Sequence, residues 1–372
     1  MKADLAESIL KNVMNWKDVG IAAGELQDIQ IIAETKYDDY QQYTHGMRFV
    51  ENLALWLRNF ETQYEREIAY NFIKENLVFI SAEEMHQIVS VTFEIYIKPI
   101  LLKKTKEFCI GNKINLVEER KKVYKYFRRK TLFLGLSDGA HMDYFRRQNS
   151  DLSNEQVFVH YDFSNEKAAD MLKELREDSE ILSVEDCYNL EQRGSFLSFF
   201  LIDDFSASGK SYIRKEYNEW KGKIVKFFER LESTSYNTEK IDVHVILYTA
   251  TNRAIEYIRN QIENFKKEKS ISAKIDIQIV QTIEPFELSE DDKEFQILKC
   301  EYEKHVASGD KSYVDSHFMK GDCNSPPFLG FGGCSLPLIL YHNTPNNSFP
   351  TLWYSWPEST ALFPRVTRHK EV

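Results

Sequence analysis

Between Thr131 and Gln281 short apolar runs alternate with amphipathic stretches, and this pattern constrains the fold more than any other feature of the chain. T-L-F-L-G-L (Thr131 to Leu136) reads as a strand, S-D-G-A as a turn, and H-M-D-Y-F-R-R as a helix. Q-V-F-V-H-Y (Gln156 to Tyr161) is a second strand candidate, and E-K-A-A-D-M-L-K-E-L (Glu166 to Leu175) is rich in helix formers. L-S-F-F-L-I (Leu197 to Ile202) is the next strand. A helix is expected from about Tyr212, with Ile213, Tyr217, Trp220, Ile224, Phe228 and Leu231 on one face at a 3.6-residue period. Ile241 to Tyr248 and Lys274 to Gln281 alternate as strands do, and Ile255, Ile258, Ile262 and Phe265 mark a helix between them. Strands and helices taking turns predict an α/β fold with a mainly parallel sheet covered by helices.

The preceding segment differs in texture. Leu53, Trp56, Leu57 and Phe60 recur at helical spacing, and Glu84 to Phe108 continues the pattern with Pro99 as an expected kink. Residues 1–130 are therefore expected to form a helical domain, and residues 131–372 an α/β domain with a loop-rich, proline-rich end.

With 372 residues the chain can bury one large core or two. Its net charge of -10 argues against general coating of nucleic acid. Five scattered cysteines without C-x-x-C spacing fit a reducing compartment better than a disulfide framework or a zinc site. No run approaches the roughly 18 apolar residues of a membrane span, and M-K-A-D-L-A-E-S lacks a signal-peptide core, so a cytoplasmic location is expected.

Chemistry concentrates in F-F-L-I-D-D-F-S-A-S-G-K-S (Phe199 to Ser211). In open α/β sheets, ligands sit beyond the carboxyl ends of strands, where a helix N-terminus favours anions. Ser206, Ala207, Ser208, Gly209, Lys210 and Ser211 are expected to occupy that place, offering hydroxyl donors, close backbone approach and a cation to a phosphate. Two readings compete. Aligned on a G-x-x-x-x-G-K-[ST] phosphate loop, Asp204 replaces the first glycine. A carboxylate about 4 Å from a phosphate charge costs on the order of 4 kcal/mol at an effective dielectric of 20. A ribose 5-phosphate instead employs both halves of the stretch: Asp203 and Asp204 accept hydrogen bonds from vicinal sugar hydroxyls, and the loop takes the phosphate.

This stretch resembles the phosphoribosyl-pyrophosphate signature of the phosphoribosyltransferase family, a hydrophobic strand followed by an acidic pair and a small-residue phosphate loop. The resemblance implies a type I phosphoribosyltransferase sheet, phosphoribosyl transfer with loss of pyrophosphate, and Mg²⁺ arriving with the substrate rather than on direct protein ligands. Asp203 and Asp204 would then steady a cationic ribose. Ser137, Asp138 and Gly139 match the place of the family's pyrophosphate loop. Lys210 departs from the small residue usual in its phosphate loop.

F-G-G-C-S-L-P-L-I-L-Y-H-N-T-P-N-N-S-F-P-T-L-W (Phe331 to Trp353), with D-D-F-x-x-S-G-K-[ST], W-L-R-N-F-E-T-Q-Y-E-R-E-I-A (Trp56 to Ala69) and L-S-N-E-Q (Leu152 to Gln156), is similar to phosphoribosyltransferase-like proteins of bacterial antiphage defence operons. That likeness implies an effector or sensor with a protein partner from the same operon. His342, Asn343, Asn346 and Asn347 follow an apolar run, where amides could read a base edge or could cap a structural turn. Lys121 to Lys130 is a basic, aromatic stretch open to nucleic acid, or a solvated helix face. A non-catalytic nucleotide- or protein-binding module and a nucleoside triphosphatase remain alternatives to the transferase.

Overall fold

The computed structural model describes residues 3–161, 164–190, 194–233, 241–307, 326–356 and 358–366. These divide into two compact units: Met1–Met85 with Glu284–Val372, and His86–Ile283. The division differs from the expected boundary after residue 130, because the last segment of the chain packs with the first helices rather than with the central sheet.

In the first unit, strand β1 (Val78–Ile80) pairs in parallel with the distant β9 (Leu338–Leu340), register Val78 to Leu338. Helices Ala3–Val13, Val19–Thr35, Phe49–Trp56, Gln63–Asn76 and Lys293–Ala307 belong to the same unit. Their starts follow from local chemistry. Asp18 accepts the N–H groups of Gly20 and Ile21, and Thr62 with Glu65 forms a reciprocal cap. The helical period through Leu53 and Phe60 is broken by a 3₁₀ turn at Leu57–Asn59. An aromatic cluster of Tyr37, Phe49, Phe79 and Phe363 packs at edge and stacked angles in the core.

The second unit holds a five-stranded, wholly parallel sheet: β2 (Thr131–Gly135), β3 (Val157–Phe158), β4 (Ser198–Ser206), β7 (Asp242–Ala250) and β8 (Lys274–Thr282), in spatial order β3-β2-β4-β7-β8. The mainly parallel α/β expectation is met. The chain leaves β2 for β3 on one side and returns to β4 on the other, so the topological switch point lies between the carboxyl ends of β2 and β4. Leu132, Leu134, Phe199, Leu201, Val243 and Val245 fill one face against the helices Lys223–Glu232 and Asn252–Lys269. Phe133, Phe200 and His244 stack along the other. The expected kink at Pro99 is a π-helical turn, Phe93–Ile97, after which helix Lys98–Gly111 takes Pro99 in its first turn, where the missing N–H is tolerated.

Three local expectations need correction. The strand expected over Gln156 to Tyr161 is only two residues long. β4 does not end at Ile202 but runs through Ser206, so Asp203 and Asp204 are strand residues. No helix starts at Tyr212. An antiparallel hairpin of β5 (Arg214–Glu216) and β6 (Glu219–Lys221) intervenes, and the helix begins at Lys223. Tyr217 and Asn218 both have positive φ (48° and 66°), the two-residue turn that matches hairpin twist, and Tyr217 is 94% exposed at its tip.

Candidate functional site at the switch point

Because β4 continues through its acids, side-chain alternation sends Asp203 and Asp204 to opposite faces of the sheet. Asp203 is 0% exposed and faces the helix Lys223–Glu232. Its carboxylate accepts from the Ser137 hydroxyl, from the Tyr212 hydroxyl at 2.5 Å, and from the Lys223 ammonium. Lys223 keeps 24% of its side chain exposed and lies 5.0 Å from the centroid of the Tyr212 ring. Burial pushes the Asp203 carboxyl above its ordinary range, Lys223 pulls it back, and the neighbouring charge of Asp204 pushes it up again. The Tyr212 phenol is raised well above its usual value by burial and by both acids.

Asp204 is half-buried on the other face. Its carbonyl accepts from Thr249 Oγ1 at 2.8 Å, and its Oδ1 lies 3.5 Å from Ser137 Oγ. Ser137 thus touches both acids. The turn Asp138–Ala140 lies over Asp204, with Gly139 in contact with its carboxylate. Asp138 itself is exposed and pairs with His160 at 3.3 Å. The structure therefore brings together the two segments that the sequence proposed separately: the Ser137–Gly139 turn after β2 and the acidic pair of β4.

The Ser206 to Ser211 loop continues from the same strand and is moored to the neighbouring helix. Thr251, the cap of helix Asn252–Lys269, donates its N–H to the Ser206 carbonyl (3.1 Å) and its hydroxyl to the Ala207 carbonyl (2.6 Å). Gly209 has φ +74°, and a Cβ there would stand 2.9 Å from the Ala254 carbonyl, so packing on this helix requires glycine. Ser208 Oγ accepts from the Lys210 N–H at 3.4 Å, and Ser211 is exposed. Among the described residues no hydrogen-bond partner reaches the Oγ of Ser206, which is 4% exposed. The loop does not open a helix of its own. Gly209-Lys210-Ser211 therefore lacks the helix that follows in a G-x-x-x-x-G-K-[ST] nucleotide site.

A profile of the PRTase-CE family matches residues 53–365. The chain belongs to the PRTase-CE family. It is a phosphoribosyltransferase-like protein. No curated protein and no solved structure matches it. In this PRTase-CE chain His342, Asn343, Asn346 and Asn347 lie in the first unit, whereas the switch point lies in the second. Asn343 Oδ1 accepts from the Thr344 and Val366 N–H groups, and Asn347 Nδ2 donates to the Phe331 carbonyl at 2.8 Å. The Asn346 carbonyl accepts from the Phe331 N–H, and that of His342 from Gln42 Nε2. Both amide side chains hold turns.

Most of the basic residues of Lys121 to Lys130 pair with acids: Lys121 with Glu118, Lys122 with Glu119, Arg128 with Asp151, Arg129 with Asp178, and buried Lys130 with Glu185. No helix among the described residues is long and apolar enough to cross a membrane. Sequence reasoning missed Tyr212 and Lys223, which it placed on one continuous helix. The alternation R-K-E-Y-N-E-W-K and the Gly222-Lys223 pair were the available signals.

Proposed function

We propose that this protein binds phosphoribosyl pyrophosphate or a related nucleotide at the carboxyl ends of β2 and β4, as an effector or sensor in bacterial antiphage defence. The contact of Ser137 with both Asp203 and Asp204 carries this reading, because it joins a turn suited to pyrophosphate to the strand that bears the acids. Asp204 accepts hydrogen bonds from the vicinal sugar hydroxyls. Ser206, Ser208, Lys210 and Ser211 supply donors and charge to the 5-phosphate, and Ser137 to Gly139 receives the pyrophosphate. The defence setting, with a protein partner from the same operon, is supported by the resemblance of the His342 to Asn347 segment.

Mg²⁺ accompanies a diphosphate and is held chiefly by the ligand's oxygens and its own waters, so it asks little of the protein. Half-buried Asp204 and exposed Asp138 fit that modest demand, and among the described residues no cluster of three or more His, Cys, Asp or Glu forms a cage. Bound in this way, the ion would neutralise the pyrophosphate charge.

The engagement of Asp203 by three donors favours a second reading, a nucleotide-binding module without turnover, since it draws one acid of the pair away from a cationic ribose. Pyrophosphate release from phosphoribosyl pyrophosphate, with purine and pyrimidine bases as acceptors, distinguishes the two. Turnover establishes the transferase, binding without turnover the module, and neither overturns the proposal.

A further inference from the structure

The two acids stand side by side in the sequence but differ in surroundings. Asp203 is enclosed, and its partners come from three separate segments: the turn after β2, the end of the Ser206 to Ser211 loop, and the first residue of helix Lys223–Glu232. Asp204 is half-buried on the opposite face, and two residues further along the same face lies Ser206, whose buried hydroxyl has no partner among the described residues. A buried hydroxyl left without a bond is costly, so it marks where a ligand or water belongs.

We infer that the acidic pair is divided in function: Asp204 and Ser206 face the ligand, while Asp203 is a positioning residue that clamps the Ser137, Tyr212 and Lys223 segments around them. The inference rests on the ribose-phosphate reading for the ligand, but the clamp can be tested without it. Breaking an ion pair between a buried carboxylate and a partly buried ammonium by removing one member is destabilising, and replacing both by neutral groups of similar shape is less so. Asp203→Asn strands the Lys223 charge. Adding Lys223→Met removes the conflict at the cost of one clamp bond, and the amide at 203 can still bond the Ser137 and Tyr212 hydroxyls, accepting from one and donating to the other.

Calorimetric titration with phosphoribosyl pyrophosphate and Mg²⁺ reads the ligand side. Asp204→Asn is expected to weaken binding about ten-fold or more, and Asp203→Asn about five-fold or more, while Asp203→Asn/Lys223→Met returns to within about three-fold of wild type. A double variant with wild-type Tm that binds as weakly as Asp204→Asn overturns the division, because Asp203 would then touch the ligand itself. If the double variant does not fold, Tyr212→Phe takes its place: it removes one clamp donor and is expected to weaken binding several-fold, and unchanged binding overturns the clamp. Hydrogen exchange on the ligand-free protein gives the independent arm. Asp203→Asn speeds exchange of the amides of both Ser137 to Ala140 and Gly209 to Ile213, and faster exchange in one segment alone, or in neither, contradicts the clamp. If wild type binds no phosphoribosyl pyrophosphate but Asp203→Asn shows this paired exchange, the ligand reading falls and the clamp stands.

Discussion

Gly139 rests directly on Asp204: a β-carbon added to the glycine would stand 2.2 Å from Oδ2 and 2.6 Å from Cγ of the carboxylate. The turn after β2 and Asp204 of β4 are therefore fitted to each other, and any side chain at 139 must turn the carboxylate away. Gly139→Ala should weaken binding of phosphoribosyl pyrophosphate with Mg²⁺ about ten-fold, whereas the stability change of a half-exposed turn should stay near 1 kcal/mol or below. Calorimetry beside thermal unfolding checks both, and undiminished affinity counts against a role for Asp204.

Gly209 answers to a different constraint. Its φ of +74° and the 2.9 Å approach of an added Cβ to the Ala254 carbonyl mean that Gly209→Ala must strain the backbone and push the loop off helix Asn252–Lys269. A loss of about 1–3 kcal/mol is expected in urea unfolding. Loss of binding without loss of stability would mean that the glycine serves the ligand alone.

At the opposite, amino end of the sheet, Lys130 Nζ and Glu185 Oε1 are 2.5 Å apart with both side chains 0% exposed. Burial holds the Lys130 ammonium below its usual range, and Glu185 opposes that shift. Glu185→Gln should cost about 3–5 kcal/mol by leaving the charge uncompensated, and Lys130→Met/Glu185→Leu should recover most of it. Chemical denaturation of the three proteins decides this; equal stability of Glu185→Gln and wild type contradicts it.

His244 predicts a pH dependence. Its ring is 5% exposed and stacks on Phe200 with centroids 4.7 Å apart, and burial pushes its pKa down to about 4. Asp242 and Asp276 raise it while Lys104 and Lys274 lower it. The unfolded chain takes up this proton near pH 6.5, but the folded chain does not until about 4. Stability is therefore intact above pH 6.5 and falls as the solution is acidified through that window, by on the order of 3 kcal/mol in all. His244→Phe keeps the stack and removes the proton, so its stability should fall less between pH 7 and 5 than that of wild type. Parallel pH profiles would contradict the assignment.

The legible part of the fold was the part with strong period. β2, β4, β7, β8 and helix Asn252–Lys269 are legible from apolar periodicity, and the turn at Ser137 and the acids of β4 each stand out in the sequence, while only the structure joins them. Two features hid from the sequence because non-local partners decide them. Asp203 and Asp204 look like a strand end, since paired acids rarely continue a buried strand, yet pairing with β7 carries β4 on to Ser206. Ile213, Trp220 and Ile224 also fit a helical face, but Tyr217 and Asn218 adopt left-handed backbone, and the hairpin they form delays the helix to Lys223. The pairing of β1 with β9 spans most of the chain and leaves no local trace.

The most direct test is calorimetric titration of wild type and Asp204→Asn with phosphoribosyl pyrophosphate and Mg²⁺, set against ATP. The account predicts that wild type prefers phosphoribosyl pyrophosphate and that Asp204→Asn loses about ten-fold or more of that affinity at unchanged Tm. Preference for ATP, untouched by Asp204→Asn, would contradict it.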